Sequence, residues 1–142
     1  MKLSEIMTNS VVKVHPEESV AVAARMLQRY NIGVLPVCEH DGRVCGVVTD
    51  RDLVTRCVAA GHQPENTPVR QVMSANVVSA QPDMDTGAAA HLMGRKQIRR
   101  LPVMENGKLC GMVSLGDLAN REDCCMDAAD ALEEICNNIT EG

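Results

Sequence analysis

Aromatic side chains are almost missing from this sequence: there is no tryptophan, no phenylalanine and a single tyrosine, Tyr30. A nucleic-acid platform of stacked rings is therefore excluded. The core must be aliphatic, with nine methionines to fill its gaps. Positive charge is also short. Against 19 acidic residues stand 14 basic ones, a formal net charge of −5. That is the wrong sign for general nucleic-acid binding, which a basic surface drives. No apolar run approaches the ~20 residues of a membrane-spanning helix, and residues 1–10, "MKLSEIMTNS", lack the apolar centre of a secretory signal. The seven cysteines are odd in number and contain no C-x-x-C pair, so reduced thiols in a cytoplasmic protein are expected. His15, His40, His62 and His91 are scattered without metal-ligand spacing. A Ser-His-Asp set, a phosphate-binding loop and a dinucleotide fingerprint are all wanting, and no enzyme is expected.

What the chain does have is itself, twice. An offset of 66 residues pairs Met7 with Met73, Val11 and Val12 with Val77 and Val78, and Pro16 with Pro82. The same offset pairs Ile32 with Ile98 and "LPV" at Leu35 with "LPV" at Leu101. One residue is then lost, where "EHDGR" becomes "ENGK", and "VCGVVTDRDL" from Val44 matches "LCGMVSLGDL" from Leu109 at an offset of 65. A single deletion inside a glycine-bearing turn is what a hairpin tolerates.

Each copy reads as strand, helix, strand, strand, helix. "SVVKV" is a short β-rich run broken by Pro16. Ser19 caps a helix in which Val20, Ala23, Ala24, Leu27 and Tyr30 recur at helical spacing. In the second copy Asp85 takes the capping place, and Gly87 and Gly94 should weaken the helix. Two strands follow around the turn, then a helix, "DRDLVTRCVAAG" or "LGDLANRE", the first ending at Gly61. The expected boundaries are residues 1–61, a polar linker at 62–68, residues 69–122, and a helical tail at 123–142. Units of this size are small for independent cores, so the two are expected to pack together. In the tail, Leu132, Ile135, Cys136 and Ile139 fall on one helical side. Cys124, Cys125 and Cys136 could there form a soft metal or redox site.

The repeated pattern "IGVLPVCEHDGRVCGVVTDRDL" and "IRRLPVMENGKLCGMVSLGDL" resembles a tandem pair of cystathionine β-synthase (CBS) domains, a Bateman module. The resemblance covers residues 1–122. It implies an α/β (α+β) fold of two β-α-β-β-α repeats packed sheet to sheet about a pseudo-two-fold axis, with a C-terminal helix appended. It also implies a regulatory module that binds AMP, ADP or ATP in clefts between the domains, needs no cofactor, and signals through a homodimer or an unknown regulated protein. The other reading is a ligand-free interaction or dimerisation module.

The resemblance assigns the family's hydroxyl-x-x-Asp motif to Thr49 and Asp52, and to Ser114 and Asp117. A carboxylate can accept from both hydroxyls of a ribose, and a hydroxyl at a helix start suits phosphate. The same spacing is also a helix capping box. Phosphate needs cations: Arg99 and Arg100 precede the second "LPV", where the first copy has Gly33 and Val34, and Arg51 and Lys108 are further candidates. Adenine would slip between aliphatic residues, with Val12, Val78, Ile32, Ile98 and the backbone near Pro36 and Pro102 as candidates. Cys45 and Cys110, at equivalent strand positions, are expected to be buried small hydrophobes.

Overall fold

A computed structural model describes residues 1–120 and 125–141, with the side chains of 125 and 138–141 left aside. Two compact units emerge, and they are not the two halves of the sequence. One comprises Val12–Val77, the other Met1–Val11 together with Val78–Gly142.

In the Val12–Val77 unit, helix α1 (Val20–Tyr30) precedes strands β1 (Val34–Cys38) and β2 (Val44–Thr49). The Ser19 hydroxyl accepts from the Val22 N–H at 3.2 Å and so starts α1. Asn31, in the left-handed region at φ 53°, ends it. Strands β1 and β2 pair antiparallel, with Val34 opposite Thr49. The second unit repeats the plan with α3 (Thr86–Lys96), β3 (Arg100–Glu105) and β4 (Lys108–Ser114), Arg100 standing opposite Ser114. It continues into α4 (Leu115–Ala119) and α5 (Cys125–Glu141).

The strand expected at "SVVKV" shrinks to one residue. Val14 bridges Val37 in parallel, its N–H donating to the Pro36 carbonyl at 3.0 Å and its carbonyl accepting from the Cys38 N–H at 2.9 Å. The next rung on either side would need an N–H from Pro36 or from Pro16, and proline has none. The second copy is stopped identically: Ala80 bridges Val103, and the rungs beyond would need Pro102 and Pro82. The helix expected after β2 is also modified. A single α-turn, α2 (Asp50–Asp52), runs into a π-helical stretch, Leu53–Val58. The Thr55 hydroxyl donates to the Arg51 carbonyl at 2.8 Å, competing with the helical N–H, and the Ala59 N–H reaches back to Val54 at 2.8 Å. Gly61 closes the segment at φ 81°.

Each copy's leading segment is seated on the other copy's hairpin. Thr8 and Met112 exchange backbone hydrogen bonds at 2.9 and 3.0 Å, and Ser74 and Val47 do the same at 2.8 and 2.9 Å. The glycines that the repeats share make room for this exchange. A β-carbon added at Gly46 would lie 2.6 Å from the Ser74 carbonyl oxygen, and one at Gly111 would lie 2.9 Å from that of Thr8. The cores are aliphatic: Val14, Val20, Leu35, Val37 and Val48 in one unit, and Leu3, Met93, Leu101, Val113 and Leu118 in the other. Ala24 and Tyr30, expected to face the core, are exposed.

Helix α5 explains the glycines that looked like defects in α3. A β-carbon at Gly94 would sit 3.1 Å from the Ala131 Cα, and one at Gly87 would sit 3.1 Å from the Asp127 carboxylate. Each glycine costs α3 about 1 kcal/mol of helix propensity and lets α5 approach closely. The buried side of α5 is Ala128, Ala131 and Ile135. Of the described side chains on the apolar side expected from spacing, Ile135 alone faces the core. Leu132 is 41% exposed and Cys136 is exposed, because the helix seats its small residues where backbones nearly touch; the side chain of Ile139 lies outside the described residues.

Gly46→Ala and Gly111→Ala should each lower the unfolding free energy by about 1–3 kcal/mol, the usual cost of overpacking, since a backbone carbonyl obstructs each position beside a methionine side chain that can move. Urea denaturation measures this. Gly42→Ala, where a β-carbon has open space but φ is 91°, separates overpacking from backbone strain.

Candidate functional site

The hairpin register decides which candidates meet. In β3 and β4, Arg100 stands opposite Ser114, and the Leu115 N–H donates to the Arg99 carbonyl at 2.8 Å. The basic pair and the hydroxyl-acid motif therefore converge at one end of the hairpin. At the matching end of the other hairpin, Val34 faces Thr49, and the Asp50 N–H donates to the Gly33 carbonyl at 3.0 Å; no cation stands at those two strand positions.

Both hydroxyl-acid motifs form reciprocal capping boxes. Ser114 Oγ accepts from the Asp117 N–H at 3.0 Å, and Asp117 Oδ2 accepts from the Ser114 N–H at 3.0 Å. For Thr49 and Asp52 the distances are 3.1 and 3.0 Å. The cap occupies one carboxylate oxygen of each acid. The second oxygen of Asp52 lies 3.7 Å from Arg56 Nε, while Arg121, the repeat counterpart of Arg56, falls outside the described residues. Capping and ligand contact are thus compatible at each acid, because a carboxylate carries two acceptor oxygens.

Beside the second cap lies a hollow of about 510 Å³, lined by Arg99, Arg100, Ser114 and Gly116 on the hairpin and α4, and by Ala128, Ala129 and Leu132 of α5. Arg100 is half-buried and Arg99 exposed. Neither has an ion-pair partner among the described residues. Of the α5 wall, the sequence singled out Leu132 alone, as part of an apolar helix side and not as a site residue, although Gly87 and Gly94 were the sign that a helix packs on α3.

Other candidates are placed differently. Lys108 pairs with Glu105 at the turn end of the hairpin, roughly 20 Å along β4 from Ser114 at ~3.3 Å per residue, so it does not join the site. Arg51 is exposed beside Thr49, its N–H donating to Asp50 Oδ1 at 2.8 Å. Val78 and Ile98 pack half-buried on one core, and Val12 and Ile32 on the other; Pro36 and Pro102 are buried. None of these six lines the arginine hollow. Pro36 and Pro102 nevertheless leave the carbonyls of Val12 and Val78 without the sheet donor a third strand would have received.

The thiols are arranged for inertness. Cys38 is buried, and desolvation pushes its pKa up to about 11, offset slightly by Lys13. Cys45 and Cys110 are half-buried rather than fully buried, because their strands lie near the sheet edge; burial still raises both above the usual thiol range. Cys45 Sγ donates to the Val37 carbonyl at 3.3 Å. Reactive thiols need the opposite shift. The soft-metal candidates Cys124 and the Cys125 side chain fall outside the described residues, and among those described no three His, Cys, Asp or Glu residues converge to hold a metal ion. No helix among the described residues is long and apolar enough to cross a membrane.

Comparison with known proteins agrees with this architecture. The CBS domain model matches residues 3–59 and 69–122. The CBS domain-containing protein YhcV of Bacillus subtilis is 39% identical over 133 residues, which is 94% of each chain. The crystal structure of Hypoxic Response Protein I with two coordinated zinc ions superposes with a TM-score of 0.78 at 29% identity, over 85% of this chain and 98% of that one. The CBS domain protein PAE2072 of Pyrobaculum aerophilum, complexed with AMP, superposes at 0.77 with 23% identity, over 91% and 98% of the two chains. The chain, with two matched copies across nearly its whole length and a close relative of the same extent, belongs to the CBS domain family.

Proposed function

We propose that this protein is a regulatory module that senses an adenine nucleotide, with its better site in the second repeat. The observation that carries the reading is the pair of unpaired arginines, Arg99 and Arg100, lining a hollow beside the Ser114 hydroxyl. Guanidinium groups without carboxylate partners suit phosphate, which they bind through charge-assisted, often bidentate, hydrogen bonds. In this reading Asp117 gives its uncapped oxygen to the ribose diol. Adenine lies against Val78 and Ile98, and its amine donates to the Val78 carbonyl that Pro102 leaves free. Val12, Ile32 and Pro36 with Thr49, Asp52 and Arg51 form the poorer counterpart, without the arginine pair. The AMP held by PAE2072 supports the chemistry, since the fold is shared. The ligand acts as a signal only to the extent that it prefers one conformation of the module.

Calorimetric titration with ATP, AMP and adenosine tests this. Arg99→Ala with Arg100→Ala should weaken ATP and AMP by about tenfold or more per lost contact, at roughly 1.5–3 kcal/mol each, and leave adenosine nearly unchanged. Asp117→Ala should remove binding of all three. If Asp117 serves only the cap, the variant loses about 0.5–2 kcal/mol of stability and keeps its affinity, and the ribose role is abandoned.

We also propose that the module works as a homodimer through the helical face of the Val12–Val77 unit. Tyr30, Val54 and Val58 are 48, 58 and 62% exposed there. Ala24 on that face is exposed, whereas its repeat counterpart Ala90 is fully buried on the helix that carries α5. A second copy pairing about a two-fold axis, the commonest soluble assembly, would cover this face. Light scattering should find a species of twice 15.3 kDa, reduced to the single mass by Val58→Glu. A wild-type chain that stays at the single mass at micromolar concentration rejects the dimer.

A further inference from the structure

The arginine hollow has a wall that belongs to neither repeat. Helix α5 occurs once in the chain, and its Ala128, Ala129 and Leu132 complete the hollow opened by Arg99, Arg100 and Ser114. The helix carries five acids, Asp127, Asp130, Glu133, Glu134 and Glu141, and no basic residue. An acidic helix beside two unpaired arginines would be expected to neutralise them. It does not: among the described residues no carboxylate lines the hollow. Asp127 instead meets His91 at 3.5 Å, and Glu134 lies over Gly94. The strip of α5 turned to the arginines is uncharged, and Leu132 remains 41% exposed there.

Such a wall places apolar surface beside the guanidinium groups, which remain partly exposed, and among the described residues sets no carboxylate against them in the hollow. Lowering the local dielectric strengthens their attraction for an incoming anion, and the docking of the helix becomes part of the binding free energy. We propose that α5 is the third wall of the nucleotide site, so that phosphate binding at Arg99 and Arg100 and docking of α5 on α3 are positively coupled. This rests on the reading that the hollow takes a nucleotide, and it adds the output: the nucleotide sets the docked fraction of α5. By reciprocity, the factor by which docking tightens the ligand is the factor by which the ligand favours docking. The first repeat has no such wall and no arginine pair, so the coupling belongs to the second repeat alone.

The device is opened by Gly94→Leu. Gly94 does not line the hollow, but a side chain there meets the Ala131 backbone at 3.1 Å and lifts α5. His91→Gln, which replaces the imidazole lying 3.5 Å from Asp127, is a gentler second variant should the first fail to fold. Two readouts are taken on the full chain: ATP affinity by calorimetry, and amide hydrogen exchange within α5. In the wild type, saturating ATP should slow exchange in α5. In Gly94→Leu, exchange should accelerate and ATP should bind about tenfold or more weakly, a typical coupling; His91→Gln should move both in the same direction by less. With Arg99→Ala and Arg100→Ala together, ATP should no longer slow α5. If ATP binds the wild type but leaves α5 exchange unchanged, or if a variant with undocked α5 binds ATP as tightly as the wild type, the coupling is overturned and the nucleotide site survives. If ATP does not bind the wild type at all, both fall.

Discussion

A two-stranded hairpin cannot hold itself together in water, and both sheets of this chain are two-stranded. Prolines at positions 16, 36, 82 and 102 restrict each incoming parallel strand to one rung. The hairpins must therefore be covered by something other than more sheet. One face receives the preceding helix, α1 or α3, and the hairpin edge receives the leading segment of the other copy. Gly46 and Gly111 are the points where that segment passes too close for any side chain. The duplication is thus built into the core, because neither hairpin is complete without residues from the other copy's stretch of sequence.

The same hairpin geometry makes the site. Antiparallel register carries the residue before "LPV" across to the hydroxyl that caps the following helix. Where those residues are Gly33 and Val34 that end of the sheet carries no cation at the two positions. Where they are Arg99 and Arg100 the same end of the sheet carries two cations with no ion-pair partner among the described residues. The cap takes one oxygen of Asp117, so it would not compete with the ligand contact proposed for the other. One geometry thus yields two unlike hairpin ends through a two-residue difference between matched positions of the two copies.

The sequence made the duplication, the hairpins and the N-caps at Ser19 and Asp85 legible, because each rests on local spacing; that Arg100 stands opposite Ser114 came only with the strand register. The exchange of segments was not legible: Met7 and Met73 have the same spacing whichever hairpin they cover. The shortened first strands were in principle readable from Pro36 and Pro102, but only after the parallel register was known. Gly87 and Gly94 were visible and their cost was correctly read, yet the helix that required them lay 30 or more residues further on. Lys108 could be named as a candidate cation but not placed along its strand, since composition carries no distance. The seat of α5, which places Leu132 beside the arginines and Ile135 in the core, followed from backbone approach at Ala131 and not from the apolar stripe.

The central claim is that the second repeat's hairpin end, walled by α5, takes the phosphates of a nucleotide. Titrating ATP into isotope-labelled protein and following its backbone amide resonances tests this directly. The expected result is saturable movement of residues 99–101, 114–117 and 128–132, with the equivalent residues 33–35 and 49–52 moving less and at higher concentration. Movement confined to residues 33–35 and 49–52, or none at millimolar ATP, would contradict it.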